Sequence, residues 1–110
     1  PVHVVCPETQ SDLADAVRDA VAAGQSVVPN GGGLGQDYGY PVRTDKPFTV
    51  IETGALNRVV AVEPGDLTIT VEAGATLATL LAALRPHGLF LPLDVPHPER
   101  ATVGGVLAVD

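Results

Sequence analysis

Cysteine occurs once in these 110 residues, at Cys6, and methionine and tryptophan not at all. A single thiol excludes an internal disulfide and any sulfur-rich metal site, and fits a reducing, cytoplasmic setting. Cations are scarce as well: six Lys and Arg stand against 13 Asp and Glu, a net charge of −7. That balance repels a phosphate backbone over the whole surface and argues against nucleic acid as a partner. The three histidines, His3, His87 and His97, are too scattered for a short metal-ligand spacing, so no metal is expected. No run of about 18 apolar residues is present to cross a membrane, and no basic segment followed by an apolar one marks a secretory signal. The chain starts at Pro1 without an initiator Met and stops inside the apolar "ATVGGVLAVD". It is therefore expected to be a piece of a longer protein.

What the sequence does have is a 45% hydrophobic content, enough for the core of one ordinary domain. "ETQSDLADAVRDAVAAG" predicts a helix, capped by Thr9 or Ser11, with Asp12 in its first turn and Gly24 at its close. Leu13, Ala16, Val17, Ala20 and Val21 share one face, expected to pack inward. "SVVP" and "PFTVIET" predict strands. "LNRVVAVEPGDLTITVEAG" predicts a hairpin: Val59 to Glu63, a turn at Pro64, Gly65 and Asp66, then Leu67 to Ala73. In its second strand Leu67, Ile69, Val71 and Ala73 face the core, while Thr68, Thr70 and Glu72 form a solvated face. "GATLATLLAALRPHG" predicts a second helix with Thr76 as cap, a buried stripe of Leu77, Leu80, Leu81 and Leu84, and a stop at Pro86 and Gly88. "LFLP" reads as a strand, "LDVPHPERA" as a proline-rich loop and "TVGGVLAVD" as the start of another element. A hairpin together with strands separated by helices indicates an α+β fold with a mixed or antiparallel sheet. A boundary near Gly54 divides a first lobe, 1–54, from the beginning of a second, 55–110.

The glycine loop "VVPNGGGLGQDYG" follows a strand and so invites the two phosphate motifs. Both fail. A dinucleotide fingerprint starting at Gly31 or Gly33 would need glycine where Gln36 or Tyr38 stands. No Gly-Lys-Ser or Gly-Lys-Thr follows, and Gly39 and Pro41 argue against a helix after the loop. An anion here would be held by loop amides, which converge readily where Cβ atoms are missing. The acidic charge does not forbid it. Spread over about 15 Å in water, seven charges repel a phosphate charge by roughly 2 kcal/mol, cut further by salt, whereas each hydrogen bond to a charged group contributes about 1.5 to 3 kcal/mol. An ordinary surface turn is the alternative. The second glycine pair, Gly104 and Gly105 in "RATVGGVLA", admits two readings likewise: a tight packing contact, or, with the first loop and the proline-rich loop, one wall of an elongated cleft.

His97, between Pro96 and Pro98, is the histidine best placed to face a ligand, with a plain surface role as the alternative. Asp94 suits either a ligand contact or a turn-stabilising one. Tyr38 and Tyr40 suit stacking on a ring or packing over the loop base. No nucleophile, base and orienter set can be read from the spacing, so any chemistry belongs to a cofactor.

In this order and at these separations, "VVPNGGGLGQDYGYPV", "LNRVVAVEPGDLTITVEAGATLATLLAAL" and "GLFLPLDVPHPERATVGGVLA" resemble the FAD-binding domain of the vanillyl-alcohol oxidase or PCMH type. Within that family the chain is most similar to glycolate oxidase FAD-binding subunits, and less so to the UDP-N-acetylenolpyruvoylglucosamine reductase group, which "LPLDVPHPERATVGG" fits poorly. The resemblance implies two α+β lobes with FAD in the groove between them, incomplete here at the C-terminus. Asn30, Gly31, Gly32, Gly33, Leu34 and Gly35 match the pyrophosphate loop. Pro92, Leu93, Asp94 and Pro96 match the segment near the flavin and its ribityl chain. Thr102, Val103, Gly104 and Gly105 match the second cofactor loop. Some relatives attach the flavin through a histidine in the first loop, but residues 30–40 contain neither His nor Cys, so the implied FAD is non-covalent. The implied activity is flavin-dependent oxidation of a 2-hydroxy acid, with electrons passing to other oxidase subunits, in the cytoplasm or at the inner face of the membrane through those partners. These 110 residues would hold part of the FAD site and be inactive alone. A cofactor-free subunit-interaction module, pairing through the hairpin edge, is the reading from a different class.

Overall fold

The computed structural model describes residues 2–31 and 47–109. Strand β1 (Val2–Val5) leads into helix α1 (Gln10–Ala22), which returns the chain to strand β2 (Ser26–Asn30). Thr9 caps α1 by accepting from the Asp12 amide at 3.0 Å. Gly24, at φ +72°, turns the chain toward β2. Strand β3 (Phe48–Glu52) lies between β1 and β2 and pairs in parallel with both. Among the described residues the strands of this sheet are all parallel, and the antiparallel pairing expected from the hairpin forms a separate two-stranded sheet instead of joining them. Parallel strands need a crossover rather than a tight turn, and α1 carries the chain from β1 to β2, leaving the place between them for β3. Ala20 of α1 and Thr49 and Ile51 of β3 are buried. The buried Thr49 hydroxyl donates to Gln25 Oε1, so no polar atom is orphaned there. The predicted inward face of α1 is only partly covered: Val17 is exposed and Val21 is 65% exposed.

Strands β4 (Val59–Glu63) and β5 (Thr68–Val71) form the antiparallel hairpin, with a bulge between Val59 and Ala61. A 3-10 turn over Pro64–Asp66 joins them, and Leu67 closes it in the left-handed region at φ 55°. That conformation turns Leu67 outward, 75% exposed, instead of onto the core face. Ile69 and Val71 are half-buried while Thr68 and Thr70 are exposed, so the predicted alternation holds for the strand itself. It fails one residue later. Glu72, expected on the wet face, is 7% exposed, and Ala73, expected inside, is exposed.

Helix α2 (Leu77–Leu84) is capped by Thr76, which accepts from the Thr79 amide at 3.2 Å. Leu77, Leu80 and Leu84 are buried, and α2 lies against β4. A 3-10 turn over Arg85–His87, with Pro86 inside it, ends at Gly88, φ 67°. "LFLP" is not a strand. Residues 89–98 carry no regular secondary structure, because Pro92, Pro96 and Pro98 offer no amide to a ladder. Helix α3 (Val103–Val109) follows. Among the described residues no helix is long and apolar enough to cross a membrane.

Glu72 is buried because Arg58 satisfies it. Its carboxylate accepts from the Arg58 amide at 2.9 Å, from Nε at 2.8 Å and from Nη2 at 3.1 Å. The Glu72 amide in turn donates to the Arg58 carbonyl at 2.9 Å. These side-chain and backbone hydrogen bonds from Arg58 hold the carboxyl below the ordinary glutamate range. Since folding lowers this pKa, the stabilisation is complete above the unfolded value of about 4.3 and is lost as pH falls through the lower folded value. Thermal melts across the acid range check this. Glu72→Gln should melt below wild type near neutral pH, with the gap closing below about pH 4.3; a gap that stays constant would contradict it.

Candidate functional site

The first glycine segment begins where β2 ends, and its start is fixed to the neighbouring strand. The Asn30 carbonyl accepts from the Thr53 amide at 3.0 Å. Its side-chain amide donates to both oxygens of Glu52, at 3.1 and 3.0 Å. Asn30 and Glu52 are register partners in the parallel pair, so this bond follows directly from the strand order. Gly31 follows, with an ordinary backbone conformation. Gly32, Gly33, Leu34 and Gly35, like Tyr38 and Tyr40, lie outside the described residues.

The second glycine segment, Thr102, Val103, Gly104 and Gly105, opens α3. Three of its amides are already engaged within the fold. Val103 donates to the Ala75 carbonyl at 2.8 Å and Gly104 to the Ala73 carbonyl at 2.9 Å. Gly105 donates to Thr102 Oγ1 at 3.2 Å. The start of α2 is closed in the same way, with Leu77 donating to Ala101 and Ala78 to Pro98. Neither of these helix starts has spare first-turn donors for an anion. The two glycines of the pair differ in role. A Cβ on Gly104 would stand 3.0 Å from Ala73 Cβ and 3.2 Å from its carbonyl oxygen, so this residue is bare for packing. Gly105 is exposed, and a Cβ there would meet only Thr102 Oγ1.

The two segments touch. A Cβ on Gly31 would overlap Thr102 Oγ1 and lie 3.2 Å from Thr102 Cγ2. Thr102 is itself 6% exposed and pairs as an isolated antiparallel bridge with Thr76. Between these points the backbone forms a closed circuit. Asn30 holds Thr53; Gly74 donates to Leu56 at 2.8 Å; Ala73 and Ala75 receive Gly104 and Val103; Thr102 fills the space beside Gly31. Gly74 admits no side chain, since a Cβ would overlap the Thr53 carbonyl oxygen and come within 2.7 Å of that of Leu56. Sequence reasoning missed Arg58, Glu72 and Gly74. The available signal was "EAG" immediately after an alternating strand, where a Glu in the solvated phase directly precedes a small residue and a glycine.

The proline-rich segment sits at the surface. Pro92, Leu93 and Asp94 are exposed, and the Leu93 amide donates to Leu91 at 2.8 Å. His97 adopts φ 55°, and its carbonyl accepts from the Arg100 and Ala101 amides, both at 2.9 Å. That bonding accounts for a left-handed non-glycine residue between two prolines. The His97 ring lies 3.9 Å from Glu99, with both side chains exposed. Among the described residues no group of His, Cys, Asp and Glu could hold a metal. A groove between α1 and the sheet is lined by His3, Asp12, Asp15, Asp19, Gln25 and Thr49; its three carboxylates disfavour a phosphate ligand.

A family model described as an FAD binding domain matches residues 1–110. Among curated proteins, the chain is 36% identical over 93 residues to decaprenylphosphoryl-beta-D-ribose oxidase of Mycolicibacterium smegmatis, covering 84% of this chain and 19% of that protein. It is 29% identical over 110 residues to D-2-hydroxyglutarate dehydrogenase of Xanthomonas citri pv. viticola, covering 100% of this chain and 23% of that protein. Among solved structures, an alkyldihydroxyacetonephosphate synthase matches 96% of this chain and 20% of its own, with a TM-score of 0.80 and 26% identity. The chain thus spans about a fifth of the length of the relatives it matches.

Steric fit between Gly31 and Thr102 gives a test of the junction. Gly31→Ala is expected to destabilise the protein by ~1–3 kcal/mol through overpacking. Thr102→Ala, which removes Oγ1 and Cγ2, should recover about 1 kcal/mol of that loss. Denaturant unfolding of the two single variants and the double variant measures the coupling, and strictly additive costs would refute the contact.

Proposed function

The chain belongs to the FAD-binding domain family, and from that premise we propose that it forms the FAD-binding portion of a flavin-dependent oxidoreductase acting on a 2-hydroxy acid such as glycolate. The observation that supports this reading is the contact of Gly31 with Thr102, which brings the start of the first glycine segment against the second. FAD is the cofactor, and the chemistry it supplies when bound is acceptance of a hydride from the substrate carbon. The chain's own residues bind and orient it.

Asn30, Gly31, Gly32, Gly33, Leu34 and Gly35 are assigned to the pyrophosphate. Because the amides of Val103 and Gly104 are spent on Ala75 and Ala73, phosphate donors fall to the first segment. Thr102, Val103, Gly104 and Gly105 then supply a wall rather than a cradle, with Gly105 as its open face. Pro92, Leu93, Asp94 and Pro96 are assigned to the flavin and ribityl side. The absence of His and Cys from residues 30–40 supports non-covalent attachment at that loop. The division into a lobe before Gly54 and another after it, and the transfer of electrons to partner subunits, belong to the same proposal. A 2-hydroxy acid substrate is in keeping with the name of the Xanthomonas relative.

The whole protein that carries this chain, once purified, should keep a flavin absorbance through dialysis, release free FAD on denaturation, and lose the oxidised band when a 2-hydroxy acid is added without oxygen. Gly32→Val should weaken FAD binding about a hundredfold, or ~2.7 kcal/mol, the size of one or two hydrogen bonds to a charged group, with a smaller effect on apoprotein melting. A colourless protein that takes up no FAD would favour the cofactor-free interaction module, and equal affinity in the variant would remove the loop assignment.

A further inference from the structure

Arg58 and Glu72 lie outside every segment assigned to the cofactor, yet they occupy the middle of the circuit that joins the two glycine segments. Glu72 immediately precedes Ala73, whose carbonyl receives the Gly104 amide, and its own carbonyl accepts from Ala75 at 3.0 Å. Ala75 in turn receives Val103. Displacing Glu72 therefore moves both acceptors that hold the second glycine segment. On the other side, Arg58 follows the Thr53 to Leu56 stretch, which is bonded to Asn30 at one end and to Gly74 at the other.

The brace is built for rigidity. Three N–H groups of Arg58 converge on one carboxylate whose side chain is 4% exposed, while the guanidinium keeps its outer part in water. Fork geometry of this kind fixes orientation as well as distance. The tightness of the neighbouring contact leaves no slack: Gly74 is closed against two carbonyl oxygens. A shift at residue 72 thus passes to residues 103 and 104 instead of being absorbed.

From this we propose that Arg58 and Glu72 are positioning residues for the FAD site, fixing where the Thr102 to Gly105 segment stands against Gly31 without touching the cofactor. The proposal rests on the FAD-binding reading above. It deepens that reading by naming the pair that holds the second glycine segment in place.

The test compares FAD dissociation constants of wild type, Glu72→Gln, Arg58→Lys and a control, Leu84→Ala, in the whole protein well below every variant's melting temperature. Leu84 is buried on α2 and outside the circuit, so its truncation destabilises the fold without touching the brace. Glu72→Gln is expected to raise the dissociation constant about tenfold and to broaden the flavin absorption band. Arg58→Lys, which keeps the charge and loses the fork, should fall between wild type and Glu72→Gln. Leu84→Ala, at an equal or larger loss of melting temperature, should stay within about twofold of wild type. If Glu72→Gln binds FAD as wild type does, or if all variants lose affinity in proportion to stability, the positioning role is overturned while the FAD reading stands. If wild type itself takes up no FAD, both fall.

Discussion

The arrangement depends on one steric relation: the Thr102 side chain occupies the space that a Cβ on Gly31 would need. Two stretches far apart in sequence can approach this closely only if one of them is bare at the point of contact. A methyl group at 31 would force the segments apart, and dense packing around them would transmit the shift. The glycine that invites a ligand reading is thus first a packing residue. Its backbone is not in the left-handed region, so the requirement comes from its neighbour and not from its own torsion angles.

From that contact the rest follows as a chain of backbone acceptors. Strand order places Asn30 beside Glu52 and Thr53. The stretch after β3 passes over Gly74, and the stretch after β5 offers Ala73 and Ala75 to the first residues of α3. Hydrogen bonds in such a relay are individually modest, but together they pair the backbone groups where the segments meet. The one ionic member, Glu72 with Arg58, fixes an orientation that neutral backbone contacts alone would leave looser. The glycines of the relay do separate jobs: 31 and 74 admit neighbours, 104 lets α3 sit on Ala73, and 105 faces out.

Much of the local structure was legible in the sequence because its causes are local. Thr9 and Thr76 cap helices that their apolar spacing predicts, Gly88 ends the second, and the Pro64 to Asp66 turn divides the hairpin where the alternation breaks. What was not legible has non-local causes. The parallel sheet depends on β3 settling between β1 and β2, which no spacing within β3 announces. "LFLP" has strand composition but sits among prolines that cannot donate to a ladder. Glu72 lies in the polar phase of its strand and is buried because Arg58, distant in sequence, reaches it. The ligand role of the first loop was suggested by its glycines, and the described part of that loop explains one of them by packing. The second segment admitted either a packing contact or a cleft wall from sequence; its Val103 and Gly104 amides are spent within the fold, which leaves the phosphate assignment with the first segment.

The most direct measurement is a crystal structure of the protein with FAD bound. This account predicts the diphosphate against the amides that follow Gly31, with Thr102 still seated beside Gly31 and the Val103 and Gly104 amides still on Ala75 and Ala73. A diphosphate bound by the Val103 and Gly104 amides, or a cofactor lying elsewhere while Gly31 and Thr102 stand apart, would contradict it.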